Sequence, residues 1–183
     1  MKFIRRFGEA FLRKRHSRGF GVHSPYAYRF VKDVIRPGIY GYYAYDFIDD
    51  LPEISPRVSR HARWLVRMMI FLGKKRVIAF PVSSESLEIA AASLNINLIT
   101  SGLNDNIIFT SDDLLVITAH SGGCSLITEA IQGGSAVFAM DPDSKMRMQL
   151  TTPIQKGLLF KSERCLLLIP RKEMEYVAYD IEF

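Results

Sequence analysis

At 183 residues, 48% of them apolar and 23% charged, the chain has the size and composition of one globular domain with a proper core. No apolar run approaches the ~18 residues that span a bilayer, and the opening "MKFIRRFGEAFLRKRHSRG" is charged throughout, without the apolar segment of a secretory signal. The net charge of +5 is uneven, because residues 1–76 carry 17 of the 24 Lys and Arg but only 6 of the 19 Asp and Glu.

That asymmetry suits nucleic acid, an anionic membrane surface or an acidic partner, and equally a set of solvated helix faces. No RNA-binding or zinc-finger signature singles out the first. The two cysteines, Cys124 and Cys165, lack metal-ligand spacing, so a reduced, cytoplasmic protein is expected.

In chain order, Met1 to about Arg15 reads as an amphipathic helix, with Phe3, Ile4, Phe7, Phe11 and Leu12 near helical spacing. Ser24-Pro25 is a helix entry: the serine hydroxyl accepts from an orphan amide, and proline suits the first helical position. That helix is expected to run to about Ile35, before Arg36-Pro37-Gly38. Residues 37–57, rich in Tyr, Phe, Gly and Asp, predict an ordered loop with a short helix. Pro56–Leu72 predicts a helix with Val58, Ala62, Leu65, Val66 and Met69 on its buried side, Arg57, Arg60, Arg63 and Arg67 largely on the other, and Gly73 as C-cap.

The pattern then changes to alternating strands and helices. Arg76–Phe80 reads as a buried strand, followed by a helix capped by Ser83 or Ser84 that ends near Asn95. Ile96–Thr100, Ile107–Thr110, Leu114–Thr118 and Ala136–Met140 predict further strands, with helices over Ser125–Gln132 and Ser144 to about Thr151. Gly157–Lys161 and Cys165–Ile169 predict an antiparallel hairpin, and Tyr176–Phe183 a last strand. Such alternation implies an α/β fold with a doubly wound, mostly parallel sheet. The chain divides at about residue 73 into a basic helical cap, 1–73, and an α/β body, 74–183, read as one structural domain because no linker separates them.

The order of elements, with its late strand hairpin, resembles the class I S-adenosylmethionine-dependent methyltransferases, whose Rossmann-like sheet has an antiparallel strand inserted near its end. "GFGVHSPYAYRFV" is similar to the segment ahead of the methyltransferase body in a group of such proteins from the Bacteroidetes, and "IPRKEMEYVAYDIEF" to that group's final strands. The resemblance implies an S-adenosylmethionine site at the carboxyl ends of the strands. It carries over to Pro81, Ser83 and Ser84 after the first strand, to His23 in the N-terminal segment, and to His120 and Asp141 as candidate catalytic residues after later strands. Acids at these strand ends bind a metal or position the substrate in related enzymes, but Asp141 with Asp143 is too few ligands for a metal, and none is expected.

Residue by residue, the chain departs from that family in the middle. Its first strand ends at Ala79-Phe80 where an acid would stand, and no glycine occurs between Gly73 and Gly102. Glycines matter there because the backbone must approach the cofactor without a Cβ in the way. Thr100-Ser101 replaces the acid that holds the ribose, unless the loop bends Asp105 back. Thr118 stands where the family has the acid of "DDLLVITAHSGG", and the stretch from Asn95 to Asp113 is too short for two crossovers, so a helix is expected to be missing.

Each candidate has a plainer reading. His120 suits a general base or a loop anchor. Asp141-Pro142-Asp143 suits a substrate-positioning turn or a loop and N-cap. His23 is a lid residue or a loop stabiliser. Cys124, after Gly122-Gly123, lacks the base and oxyanion motif of a nucleophile. The resulting expectation is a degenerate methyltransferase-like protein that binds a partner protein or a second copy of itself. The alternatives are a working methyltransferase with an atypical pocket and a nucleic-acid-binding remnant using the Arg-rich helices.

Overall fold

The structure, a computed structural model, describes residues 14–16, 21–38, 41–102, 105–118, 124–151 and 156–183. The predicted first helix lies outside these residues except for its end, where Lys14–His16 are helical and His16 Nδ1 lies 3.0 Å from the Asp180 carbonyl.

The helix starts follow their caps. In α1, Pro25–Phe30, Ser24 Oγ accepts from the Ala27 amide at 3.3 Å, and the helix continues as a π-helical turn over Val31–Ile35. A short helix α2, Ala44–Asp49, stands where the aromatic-rich loop was expected to hold one. Helix α3, Pro56–Leu72, opens on Ser55 Oγ accepting from Val58 N at 3.2 Å and closes on Gly73 in the left-handed region at φ 64°. Ser55→Ala is expected to cost about 1 kcal/mol, and Ser55→Gly only a few tenths. Urea midpoints with unchanged m-values would check this; a Ser55→Ala loss of no more than about 0.2 kcal/mol would show that the cap contributes nothing.

The body continues through β1 (Arg76–Phe80), α4 (Glu85–Ser93), β2 (Asn97–Thr100), β3 (Asp113–Ile117), α5 (Cys124–Gln132), β4 (Ala136–Met140), α6 (Ser144–Thr151), β5 (Lys156–Lys161), β6 (Cys165–Glu175) and β7 (Val177–Asp180). These strands form one seven-stranded sheet in the order β2-β1-β3-β4-β6-β5-β7. Every pairing is parallel except those of β6, which runs antiparallel to both β4 and β5. The expected hairpin is therefore present, and its second strand is inserted between β4 and β5.

Side-chain alternation along the strands divides the core in two. Val77, Ala79, Leu114, Val116, Phe138 and Phe160 face the layer formed by α1 to α4. Ile78, Phe80, Leu115, Ile117, Val137 and Ala139 face α5, α6 and Phe109. Helices thus cover both faces, as buried parallel strands require.

The predicted strand at Ile107–Thr110 is not one; these residues pair with no strand. Phe109 instead buries its ring among the α5-side residues, and the chain presses so closely on the end of α5 that a Cβ on Gly133 would lie 2.5 Å from the Phe109 carbonyl oxygen. The route from β2 to β3 crosses β1 with no helix among its described residues, in line with the short middle of the sequence. The predicted last strand is shorter than expected, because pairing with β5 ends at Asp180.

Two of the arginines assigned to a solvated face of α3 serve the fold. Arg67 Nε donates to the Val34 carbonyl at 2.9 Å and its Nη1 to the Tyr45 hydroxyl at 3.0 Å. Arg63 lies over the Tyr45 ring and pairs with Asp49. Both are charged residues whose neighbours arrive from distant segments.

Candidate functional site

In an open α/β sheet, ligands bind outside the carboxyl ends of the strands, where neighbouring connections leave in opposite directions. Here that point lies between β1 and β3: β1 leads through α4 to the α4 layer and β2, while β3 leads into α5 on the other face.

Internal hydrogen bonds lace these strand ends together. Ser101 N donates to the Ala79 carbonyl at 2.9 Å, and Thr118 N to the Phe80 carbonyl at 3.0 Å. The Thr118 hydroxyl donates to the Val82 carbonyl at 2.9 Å. Thr118, at the position where a carboxylate was sought, thus ties β3 to the turn that leaves β1. Pro81 is partly buried in that turn and offers no amide donor. The Ser84 hydroxyl caps α4 by accepting from Leu87 N at 3.3 Å, and the Ser83 hydroxyl turns onto the Ser84 carbonyl at 3.4 Å. Glu85 and Glu88 stand in the first turn of α4, where their charges complement the positive helix end and repel an incoming anion.

Asp105 does return to the end of β2, where its Oδ2 accepts from Gly102 N at 2.7 Å. Asp141 follows β4, exposed, with a left-handed φ of 43° and its amide donating to the Arg164 carbonyl at 2.6 Å. Asp143 caps α6: its Oδ1 accepts from Met146 N at 2.7 Å. His120 lies outside the described residues, as do Gly122 and Gly123. Cys165 is a poor nucleophile, since burial, with Asp141 nearby, pushes its thiol up to about 11.

The structure does not bring His23 to Ser83 and Ser84. His23 is exposed and precedes the Ser24 cap. Tyr26, one turn further on, meets Phe71 at 4.9 Å and the Arg171 guanidinium at 4.1 Å. Those contacts stand by the amino ends of the parallel strands, where α3 leads into β1.

That opposite edge, which the sequence reading passed over, holds a cavity of about 750 Å³. Its walls include Tyr26, Lys74, Ser111, Lys156, Arg171 and Lys172. The available signal was the bases that flank the start of β1 and the middle of β6. It is faint because these residues lie about a hundred positions apart and meet only through the strand order.

Among the described residues no group of three His, Cys, Asp or Glu side chains could hold a metal ion, and no helix is long and apolar enough to cross a membrane. Compared with protein-family models, with curated proteins and with solved structures, the chain matches none.

Proposed function

We propose that the protein is a methyltransferase-like protein that no longer transfers methyl groups and acts by binding a partner. The observation that carries this reading is Thr118. Its amide and hydroxyl join the ends of β1 and β3 through the Phe80 and Val82 carbonyls, at the place a cofactor's methionine end would need open donors. The insertion of β6 between β4 and β5 supports the methyltransferase-like part of the reading, alongside the likeness of "GFGVHSPYAYRFV".

The described residues fit S-adenosylmethionine poorly. Pro81 supplies no donor, Ser84 is engaged as a cap, and Glu85 and Glu88 oppose a carboxylate at the start of α4. One observation favours a working enzyme with an atypical pocket: Asp105, folded back to Gly102, stands near where a ribose hydroxyl would seek an acceptor. Internal use of Arg63 and Arg67 removes two charges from the nucleic-acid alternative.

Titration calorimetry with S-adenosylmethionine separates the readings. No binding is expected at a cofactor concentration of about 100 μM. A dissociation constant tighter than that, weakened by Asp105→Ala, would overturn the non-catalytic reading in favour of the second.

A further inference from the structure

The cavity at the amino edge of the sheet is built, not incidental. Lys74 precedes β1, Ser111 precedes β3, and Lys156 opens β5, so the cleft lies at the strand ends away from the cofactor side. One wall is a bulge in β6. Pro170 pairs with Gly157 while Glu175 pairs with the adjacent Lys156, which leaves Arg171–Met174 outside the pairing with β5. A bulge re-aims the side chains it carries, and here it presents Arg171, Lys172 and Glu173 to the cleft. Gly157 makes this possible. Its φ is +134°, and a Cβ there would lie 2.5 Å from the Ile169 carbonyl oxygen and 3.1 Å from Arg171 N.

The charges are arranged to leave positive potential unneutralised. Lys74, Lys156, Arg171 and Lys172 line the cleft against one acid, Glu173. Arg171 is held in place by the Tyr26 face and by Glu173 Oε1 at 3.0 Å. The Lys74 ammonium donates to the Ser111 carbonyl at 2.6 Å, and among the described residues no carboxylate forms an ion pair with Lys74, Lys156 or Lys172. Burial lowers the Lys74 pKa from its ordinary value and the Arg171 charge adds to this, against the opposing pull of Asp112 and Asp113, which are paired with Lys75 and Arg76. The ends of α3 and α5 add about half a negative charge each, which reduces the excess without reversing it. A volume of about 750 Å³ falls within the ~300–1,000 Å³ range of small-molecule sites.

We infer that this amino-edge cleft binds a small polyanion carrying two or more phosphate groups. Arg171 supplies a planar fork for one group, and Lys74 and Lys172 supply point charges for the rest. Tyr26 brings the "GVHSPY" segment into the site as the support beneath Arg171. The inference does not depend on the cofactor reading, because the two sites lie at opposite ends of the strands.

Calorimetry of the full chain with inorganic pyrophosphate, at an ionic strength near ~0.15 M, tests it. One site with a dissociation constant below about 1 mM is expected. Arg171→Gln is expected to weaken binding by about tenfold or more. The pair Lys156→Gln with Lys172→Gln changes only exposed residues and leaves the Arg171–Tyr26 stack in place; it too is expected to bind several-fold more weakly. Lys145→Gln, exposed on α6, is expected to bind like the parent chain. Absence of binding at about 5 mM pyrophosphate, or equal weakening by Lys145→Gln, would overturn the inference. The latter would show attraction to basic surface in general.

Discussion

Phe30→Ala is expected to destabilise the whole chain by about 3–5 kcal/mol. Phe30 is fully buried. Its ring stacks on Phe160 of β5 with centroids 4.3 Å apart and meets Phe71 of α3 edge-on at 5.4 Å. Phe160 stacks in turn on Tyr179 of β7 at 5.7 Å, so one row of rings joins the N-terminal helical layer to the edge of the sheet. Truncation leaves a cavity that two rigid rings and a strand backbone cannot collapse into, which places the cost toward the upper part of the range for aromatic deletions. Because the same core cluster contains Ala27, Ile48, Leu65 and Val116, the helices and the sheet are expected to unfold together. Urea unfolding followed by helical circular dichroism and by Trp64 fluorescence checks this. Trp64, on α3, packs against Phe138 and Phe183 and reports on the contact between that helix and the sheet. Coincident transitions, both shifted by the substitution, are the expected result. A Trp64 transition that moves to lower urea while the helical signal of α4 to α6 stays fixed would show that residues 25–72, which include Trp64, unfold as a separate unit.

What the sequence revealed of this fold was what is determined locally. Pro56 and Gly73 mark the start and the C-cap of α3 to the residue, because helix-end chemistry acts within a single turn. Ala136–Met140 was equally plain, as a short apolar run bounded by turn residues. The misread Ile107–Thr110 has a strand's composition, but its aromatic residue is buried by α5, and the room for it is made by Gly133, more than twenty residues away. Arg67 reads as a surface charge until α1 and α2 pack over it, bringing the Val34 carbonyl and the Tyr45 hydroxyl. The cofactor end was legible through its departures: Thr118 and Pro81 stood at identifiable positions, and the structure adds what Thr118 does there. The amino-edge cleft was not legible. Its cations come from three separated segments, and only the insertion of β6 between β4 and β5, with its bulge opposite Gly157, brings them together.

Asp113→Ala is expected to cost about 3 kcal/mol at neutral pH, the lower end of the range for removing one partner of a buried ion pair. Strands disfavour Asp, yet Asp113 opens β3 and is almost fully buried. It pairs in register with Arg76 of β1, which forks onto it through Nε to Oδ1 at 2.8 Å and Nη2 to Oδ2 at 2.6 Å. Thr110 adds its amide at 2.6 Å and its hydroxyl at 3.1 Å. The carboxylate therefore fastens two central strands to the loop that carries Phe109. Its loss leaves the Thr110 amide without this acceptor, while the Arg76 side chain, 30% exposed, can turn to water; that is why the lower end applies. Burial alone would raise the Asp113 pKa, but the bonds from Arg76 and Thr110 outweigh it and hold the carboxyl below its ordinary 3.8. A group whose pKa is lowered by folding contributes its stability above the unfolded value and loses it as pH falls through the folded one. The difference between parent and variant is therefore expected to be flat from about pH 5 to 8 and to shrink below about pH 4. Arg76→Lys keeps the charge but not the fork, and is expected to lose part of the effect. Urea unfolding at a series of pH values measures all three proteins. A cost under about 0.5 kcal/mol at pH 7, or a difference that grows in acid, would show that this carboxylate does not fasten β1 and β3.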